Sequence, residues 1–244
     1  MHTRQSLYLI PGTMCDHRLW DSFISALELV RPNYFDFHFV TIAQKNTIDD
    51  IVDDIRQQLP RQKIHLLGFS LGGYLASAFA LKFPELIDSL YVVSNMPCAL
   101  PDKEIKERSR AVAWIKRNGY SGISQKRILA LLDKSAHQRK EVVSLIKEMD
   151  ESLGQDVLVH QLLTTTKRED IFIELEKLTL NKYFCVGRND HLVSVEALTK
   201  LQLLDKHMKL SIIENAGHML PLEKTDALAQ WLNSMIATEC KTMR

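Results

Sequence analysis

Apolar positions along the chain follow two rhythms. Short, nearly uninterrupted apolar runs occur at Leu7–Ile10, Phe37–Ile42, Ile64–Gly68, Leu90–Ser94, Tyr183–Gly187 and Leu210–Glu214. Most lack the polar alternation of a half-exposed strand, so they predict strands covered on both faces, as in a parallel sheet. Between them the period lengthens to that of a helix. Ile48, Ile51, Val52, Ile55 and Leu59 follow Thr47, which resembles a capping box with Asp50. A second helix is predicted from Leu71 to Phe83-Pro84, where proline stops propagation. A last one starts at Asp226, runs to Ala237, and places Leu228, Trp231, Leu232, Met235 and Ile236 on one face. Strands alternating with helices predict an α/β fold, a doubly wound, mostly parallel sheet of about six strands.

The alternation lapses once, between Cys98 and Leu180, where Leu129, Leu132, Val142, Val143, Ile146 and Met149 recur at helical spacing. An all-helical block between two sheet strands predicts an inserted cap. The expected organisation is a core formed by residues 1–97 and 181–244, with a helical cap over 98–180. No internal repeat or low-complexity segment interrupts it.

Composition narrows the function classes. At 244 residues, 45% hydrophobic and 25% charged, the chain suits a soluble globular protein with one core and an insertion. Its 31 basic and 30 acidic residues leave a net charge of +1, which argues for neither nucleic acid nor membrane binding. Cys15, Cys98, Cys185 and Cys240 are far apart, with no C-x-x-C pair and no adjacent histidine at ligand spacing. Neither a disulfide framework nor a zinc site is expected, and free thiols suit a reducing cytoplasm. The apolar run Leu7–Ile10 is too short for a signal peptide, and no stretch approaches a membrane span.

Chemistry enters with Gly68-Phe69-Ser70-Leu71-Gly72, a G-x-S-x-G pattern. Composition alone would produce it in roughly one chain of this length in twelve. Its context is more specific: a strand-like run precedes it and a helical run follows, the strand–turn–helix setting of a nucleophile elbow. A serine hydroxyl needs a base. Of nine histidines, His218 alone sits on a glycine-histidine turn after the last strand and before the final helix. His65 and His38 fall in or beside strands, His137, His160 and His207 on helices, and His2, His17 and His191 at the terminus or in loops. The base needs an orienting carboxylate, and Asp190 follows the strand Tyr183–Gly187 closely. Both loops belong at the carboxyl edge of the sheet, with Ser70. Oxyanion donors are expected at the Leu71 N–H and in Pro11-Gly12-Thr13-Met14-Cys15-Asp16, at Thr13 first and Met14 second. Phe69 and Met219, beside Ser70 and His218, are the candidate pocket residues, and Cys15 reads as a packing residue.

Together, Leu9-Ile10-Pro11-Gly12, Gly68-Phe69-Ser70-Leu71-Gly72-Gly73, Val186-Gly187-Arg188-Asn189-Asp190 and Ala216-Gly217-His218-Met219-Leu220-Pro221-Leu222-Glu223 resemble the α/β-hydrolase fold family across nearly the whole chain. The order Ser70, Asp190, His218 is that family's order. The resemblance implies hydrolysis of a carboxylic ester or related acyl group, no cofactor and no metal, and a helical cap over the site. Three features depart from the family. Pro11 stands where many members have histidine. Thr41-Ile42-Ala43-Gln44-Lys45 replaces a glycine-rich loop, and the chain begins almost on the first motif-bearing strand.

Between Pro101 and Lys140, eleven basic residues face four acidic ones, a local charge of +7, so the remainder carries −6. Such a cap is either a solvated helix face or a surface that steers an anionic substrate or an acidic acyl carrier protein. The second arrangement is similar to that of esterases that demethylate a carrier-protein-bound pimeloyl methyl ester. A lyase or acyltransferase using the same three residues, and a non-catalytic receptor on the same scaffold, are the alternative readings.

Overall fold

The computed structural model describes residues 4–242, with side chains described through residue 237. His2 and the Cys240 side chain lie outside the described residues. In chain order, β1 (Gln5–Ile10), α1 (Asp21–Val30), β2 (Phe35–Phe39), α2 (Ile48–Gln58), β3 (Ile64–Phe69), α3 (Leu71–Lys82) and β4 (Ile87–Val93) alternate. Four helices follow: α4 (Asp102–Asn118), α5 (Gln125–Leu131), α6 (Lys140–Thr165) and α7 (Phe172–Glu176). The alternation resumes with β5 (Asn181–Gly187), α8 (Val195–Gln202), β6 (Met208–Ile213), α9 (Leu220–Glu223) and α10 (Thr225–Thr242). The six strands form one sheet in the order β2-β1-β3-β4-β5-β6, and every pairing is parallel.

Both faces of the sheet are buried, which accounts for the near-continuous apolar runs. Leu7, Leu9, Leu67, Phe69, Tyr91, Val93, Tyr183 and Cys185 join Phe23 and Leu27 of α1 and Leu228 and Leu232 of α10 on one face. Tyr8, Ile10, Leu66, Leu90, Val92, Phe184 and Val186 join Ile51 and Ile55 of α2 and Leu75 and Phe79 of α3 on the other. Each such side chain stabilises the fold by about 1.5–3 kcal/mol. Leu132, Val142, Ile146 and Met149, from the helical stretch between β4 and β5, belong to the first cluster, so these helices share the sheet's own core. Among the described residues, positions 98–180 contain no strand, and no helix is long and apolar enough to cross a membrane.

Strand boundaries differ from the apolar runs for identifiable reasons. The second strand covers Phe35–Phe39 rather than Phe37–Ile42, since past Phe39 the ladder ends with the Val40 N–H donating to the Leu9 carbonyl at 3.0 Å. β4 and β5 begin earlier than the runs because buried polar residues, Ser89 and Lys182, lie inside them. The sixth strand likewise begins earlier, at Met208. The Thr47 hydroxyl caps α2 by accepting from the Asp50 N–H at 3.0 Å. The Asp50 carboxylate accepts from that hydroxyl at 2.7 Å instead of closing the reciprocal backbone bond.

Lys182 is fully buried yet charge-balanced. Its Nζ lies 3.0 Å from the Asp205 carboxylate and donates to the Leu175 and Leu178 carbonyls, joining the end of α7 to β5. Burial pulls its pKa below the ordinary lysine value, against the carboxylate's opposing effect. Removing one member of such a pair strands the other charge. Asp205→Ala should therefore lower the unfolding free energy by about 3–5 kcal/mol, whereas Lys182→Met with Asp205→Leu should cost much less, as urea denaturation would measure.

Candidate active site

The sheet reverses its winding between β1 and β3, where crevices form at the carboxyl ends of strands. Ser70 lies there, between the last residue of β3 and the first of α3, at φ 53° and ψ −117°. A Cβ on Gly68 would run into the Gly72 carbonyl, and one on Gly72 into the carbonyls of Ile10 and Pro11. The two outer glycines of the motif thus let the turn close against its own helix and against β1. The Ser70 N–H donates to the Val93 carbonyl at 2.9 Å, which ties the turn to β4.

The carboxyl ends of β5 and β6 deliver the other two side chains. His218 Nδ1 lies 2.8 Å from Asp190 Oδ2, and Nε2 lies 2.9 Å from Ser70 Oγ. The carboxylate can only accept, so Nδ1 carries the proton and Nε2 accepts from the serine hydroxyl. Asp190 is held in turn, its Oδ1 accepting the N–H groups of Leu192 at 2.8 Å and Val193 at 3.2 Å. Asp190 and His218 are 7% and 5% exposed, so their hydrogen bonds are shielded from water. The three residues expected from the sequence meet in one hydrogen-bonded row.

Leu71 opens α3, where a helix leaves amides without internal acceptors. Gly12 abuts the turn at Ser70: a Cβ there would press on Phe69 and on Ser70 Cβ, so the loop after β1 lies against Ser70. In that loop Thr13 is partly exposed, while the buried Met14 N–H donates to Gln161 Oε1 at 3.1 Å. Phe69 and Met219 are 1% and 3% exposed and sit in the apolar core, with the Phe69 ring 5.4 Å from the His218 imidazole. Cys15 is buried and its thiol is pushed up to about 12 by desolvation and by Asp16, a poor nucleophile at neutral pH. Other histidines are engaged elsewhere: His38 stacks on Tyr8, His65 packs between Phe35 and Tyr91, and His160 meets the Lys45 carbonyl. Among the described residues no group of three or more His, Cys, Asp or Glu side chains is placed to hold a metal ion.

Two supporting groups carried no role in the sequence reading. Glu223, buried on α9, accepts the N–H groups of Asp133 at 2.7 Å, Gly217 at 3.0 Å and Met219 at 2.8 Å, and so fixes the backbone on both sides of His218. Burial pushes its carboxyl above the ordinary value, against the pull of those three donors. The available signal was a lone acid closing the apolar run Met219-Leu220-Pro221-Leu222. Asp133 is the second. Its carboxylate accepts from Ser135 and from Asn189 Nδ2 at 2.7 Å, and these bonds hold its pKa down to about 2. The His218 N–H donates to the Leu131 carbonyl at 2.8 Å. Residues 131–133 therefore lie directly on the His218 loop, close enough that a Cβ on Gly217 would strike them.

Comparison with known proteins identifies the family of the fold. A family model for the alpha/beta hydrolase fold matches residues 15–225. The chain is 26% identical over 199 residues to a pimeloyl-[acyl-carrier protein] methyl ester esterase of Shewanella woodyi, covering 76% of this chain and 77% of that protein. It is 24% identical over 256 residues to a biotin biosynthesis bifunctional protein of Teredinibacter turnerae, covering 96% of this chain but only 45% of the relative's length. Among solved structures, a thermophilic esterase from Thermogutta terrifontis superposes with a TM-score of 0.82 at 21% identity, covering 98% of this chain and 91% of that one. The chain belongs to the α/β-hydrolase fold family.

Proposed function

We propose that the protein hydrolyses a carboxylic ester through an acyl-enzyme on Ser70. The observation that carries this reading is the continuous row from Asp190 through His218 to Ser70 Oγ, with bonds of 2.8 and 2.9 Å. In the proposed reaction Ser70 Oγ attacks the ester carbonyl while His218 Nε2 takes its proton. Asp190 keeps the imidazole oriented and balances its positive charge. The N–H groups of Leu71 and Thr13 hold the oxyanion; the Met14 N–H is already spent on Gln161, which favours Thr13 as the second donor. His218 then protonates the leaving alcohol, and later draws a proton from the water that attacks the acyl-serine. The free acid departs and Ser70 regains its proton.

For the substrate we propose a methyl ester of an anionic acyl group, presented by an acidic acyl carrier protein. Its support is the +7 charge of residues 101–140, where Lys103, Lys106, Arg110 and Arg117 are exposed along α4, together with relatives named for a carrier-protein methyl ester. Spacings of three, four and seven residues align these cations along one side of the helix. A soluble small ester entering the same site would not need them.

Three outcomes test the reading. Ser70→Ala should cut turnover of p-nitrophenyl acetate by about 10⁴ or more without lowering the thermal midpoint; undiminished turnover would sink it. Lys106→Glu with Arg110→Glu should raise KM at least about tenfold for a carrier-protein ester while leaving the p-nitrophenyl ester unaffected. An equal effect on both substrates would exclude carrier docking there. Glu223→Gln leaves one of three buried N–H groups facing an amide nitrogen, and should cost about 1–3 kcal/mol of stability in urea unfolding, with kcat falling more than KM changes.

A further inference from the structure

We infer that Gln161 is a positioning residue for the turn that carries the second oxyanion donor, an inference that rests on the Ser70 reading above. The turn spans Gly12 to Cys15, closed by the Cys15 N–H donating to the Gly12 carbonyl at 3.1 Å. Its third residue, Met14, has φ 54°, a conformation that turns of this kind normally assign to glycine or asparagine. Something outside the turn must hold the central peptide in that orientation. Gln161 Oε1 does so, accepting the Met14 N–H at 3.1 Å from a side chain that is 7% exposed. Without that acceptor the buried amide has no partner in its present direction, and the alternative peptide orientation, which relieves Met14, gains. The Thr13 N–H lies on the peptide just before the central one, so a flip that rotates ψ of Thr13 and φ of Met14 reaches it indirectly, through the readjustment that keeps the turn closed between Gly12 and Cys15.

The placement of Gln161 is itself built in. α6 breaks at Gly154, where φ is 74° and ψ −177°. The helix is fastened on both sides of the break. Before it, Arg18 Nη2 donates to the Glu148 carbonyl at 3.3 Å and to Ser152 Oγ at 2.9 Å. After it, His160 and Thr164 both contact the Lys45 carbonyl, at 2.6 and 3.0 Å. The break redirects the second half of α6, and these ties fix it where residue 161 reaches the loop after β1. A residue of the helices between β4 and β5 thereby sets the geometry of a donor in the loop after β1.

The test uses the full chain and two readouts, steady-state hydrolysis of p-nitrophenyl acetate and inhibition by an alkyl trifluoromethyl ketone, whose serine adduct carries an oxyanion. Gln161→Met keeps length and helix propensity and removes the acceptor. It should lower kcat and weaken ketone binding by about 10- to 100-fold, less than or equal to the loss of a whole donor, with KM within about twofold. Gln161→Glu, whose carboxylate accepts the same N–H, should recover most of both. Wild-type kcat and ketone affinity in Gln161→Met would overturn the inference, as would equal losses in both variants. Turnover in the wild type that survives Ser70→Ala would instead remove the underlying site reading, and this inference with it.

Discussion

Ser70 is held at φ 53° and ψ −117°, a backbone conformation that an L-residue keeps only when its surroundings enforce it. The enforcement comes from three directions. The Ile10 and Pro11 carbonyls, at and just past the end of β1, lie against Gly72, β4 accepts the Ser70 N–H, and α3 begins at once behind the serine. Each of these depends on the parallel pairing of β1, β3 and β4, so the strain at one residue is sustained by burial across the whole sheet. The result is a hydroxyl raised above the sheet edge, beside helix amides with no internal acceptor.

The loops that meet this hydroxyl are not self-supporting. His218 is fastened through its own N–H to the Leu131 carbonyl, and its neighbours Gly217 and Met219 are fastened to Glu223. Asn189, next to Asp190, donates to Asp133. One short segment, residues 131–133, therefore touches both the acid loop and the histidine loop, and it comes from the helices between β4 and β5. Because Leu132, Val142, Ile146 and Met149 also enter the sheet's apolar cluster, these helices are bound to the core by burial as well as by hydrogen bonds. At this edge they act as a buttress. The excess of lysine and arginine is confined to residues 101–140, so the first part of this helical stretch combines apolar anchors such as Leu132 with exposed cations.

Much of this was legible beforehand, because it is encoded locally. Both faces of a parallel sheet are apolar, so the strands announced themselves as unbroken runs. Ser70, His218 and Asp190 were legible because glycines mark the tight turns that present them. The runs misplaced strand ends where a polar residue is buried: Lys182 looked like a boundary and is the interior of β5, since Asp205 and two carbonyls neutralise and solvate it. Glu223 stood within a recognised segment, yet its three N–H partners come from two loops far apart in sequence. Gln161 had no local mark at all, because its partner is 147 residues away.

The sequence by itself determined the alternation of strands and helices, the all-helical stretch between β4 and β5, and the chain order of Ser70, Asp190 and His218, since periodicity and turn chemistry act over a few residues. Only the tertiary structure decided which amide of the loop after β1 is tied to Gln161, which carboxylate steadies the histidine loop, and how the helices between β4 and β5 brace these loops. Those choices are made by hydrogen bonds between segments that approach one another only when the sheet assembles. No local rule of spacing contains them.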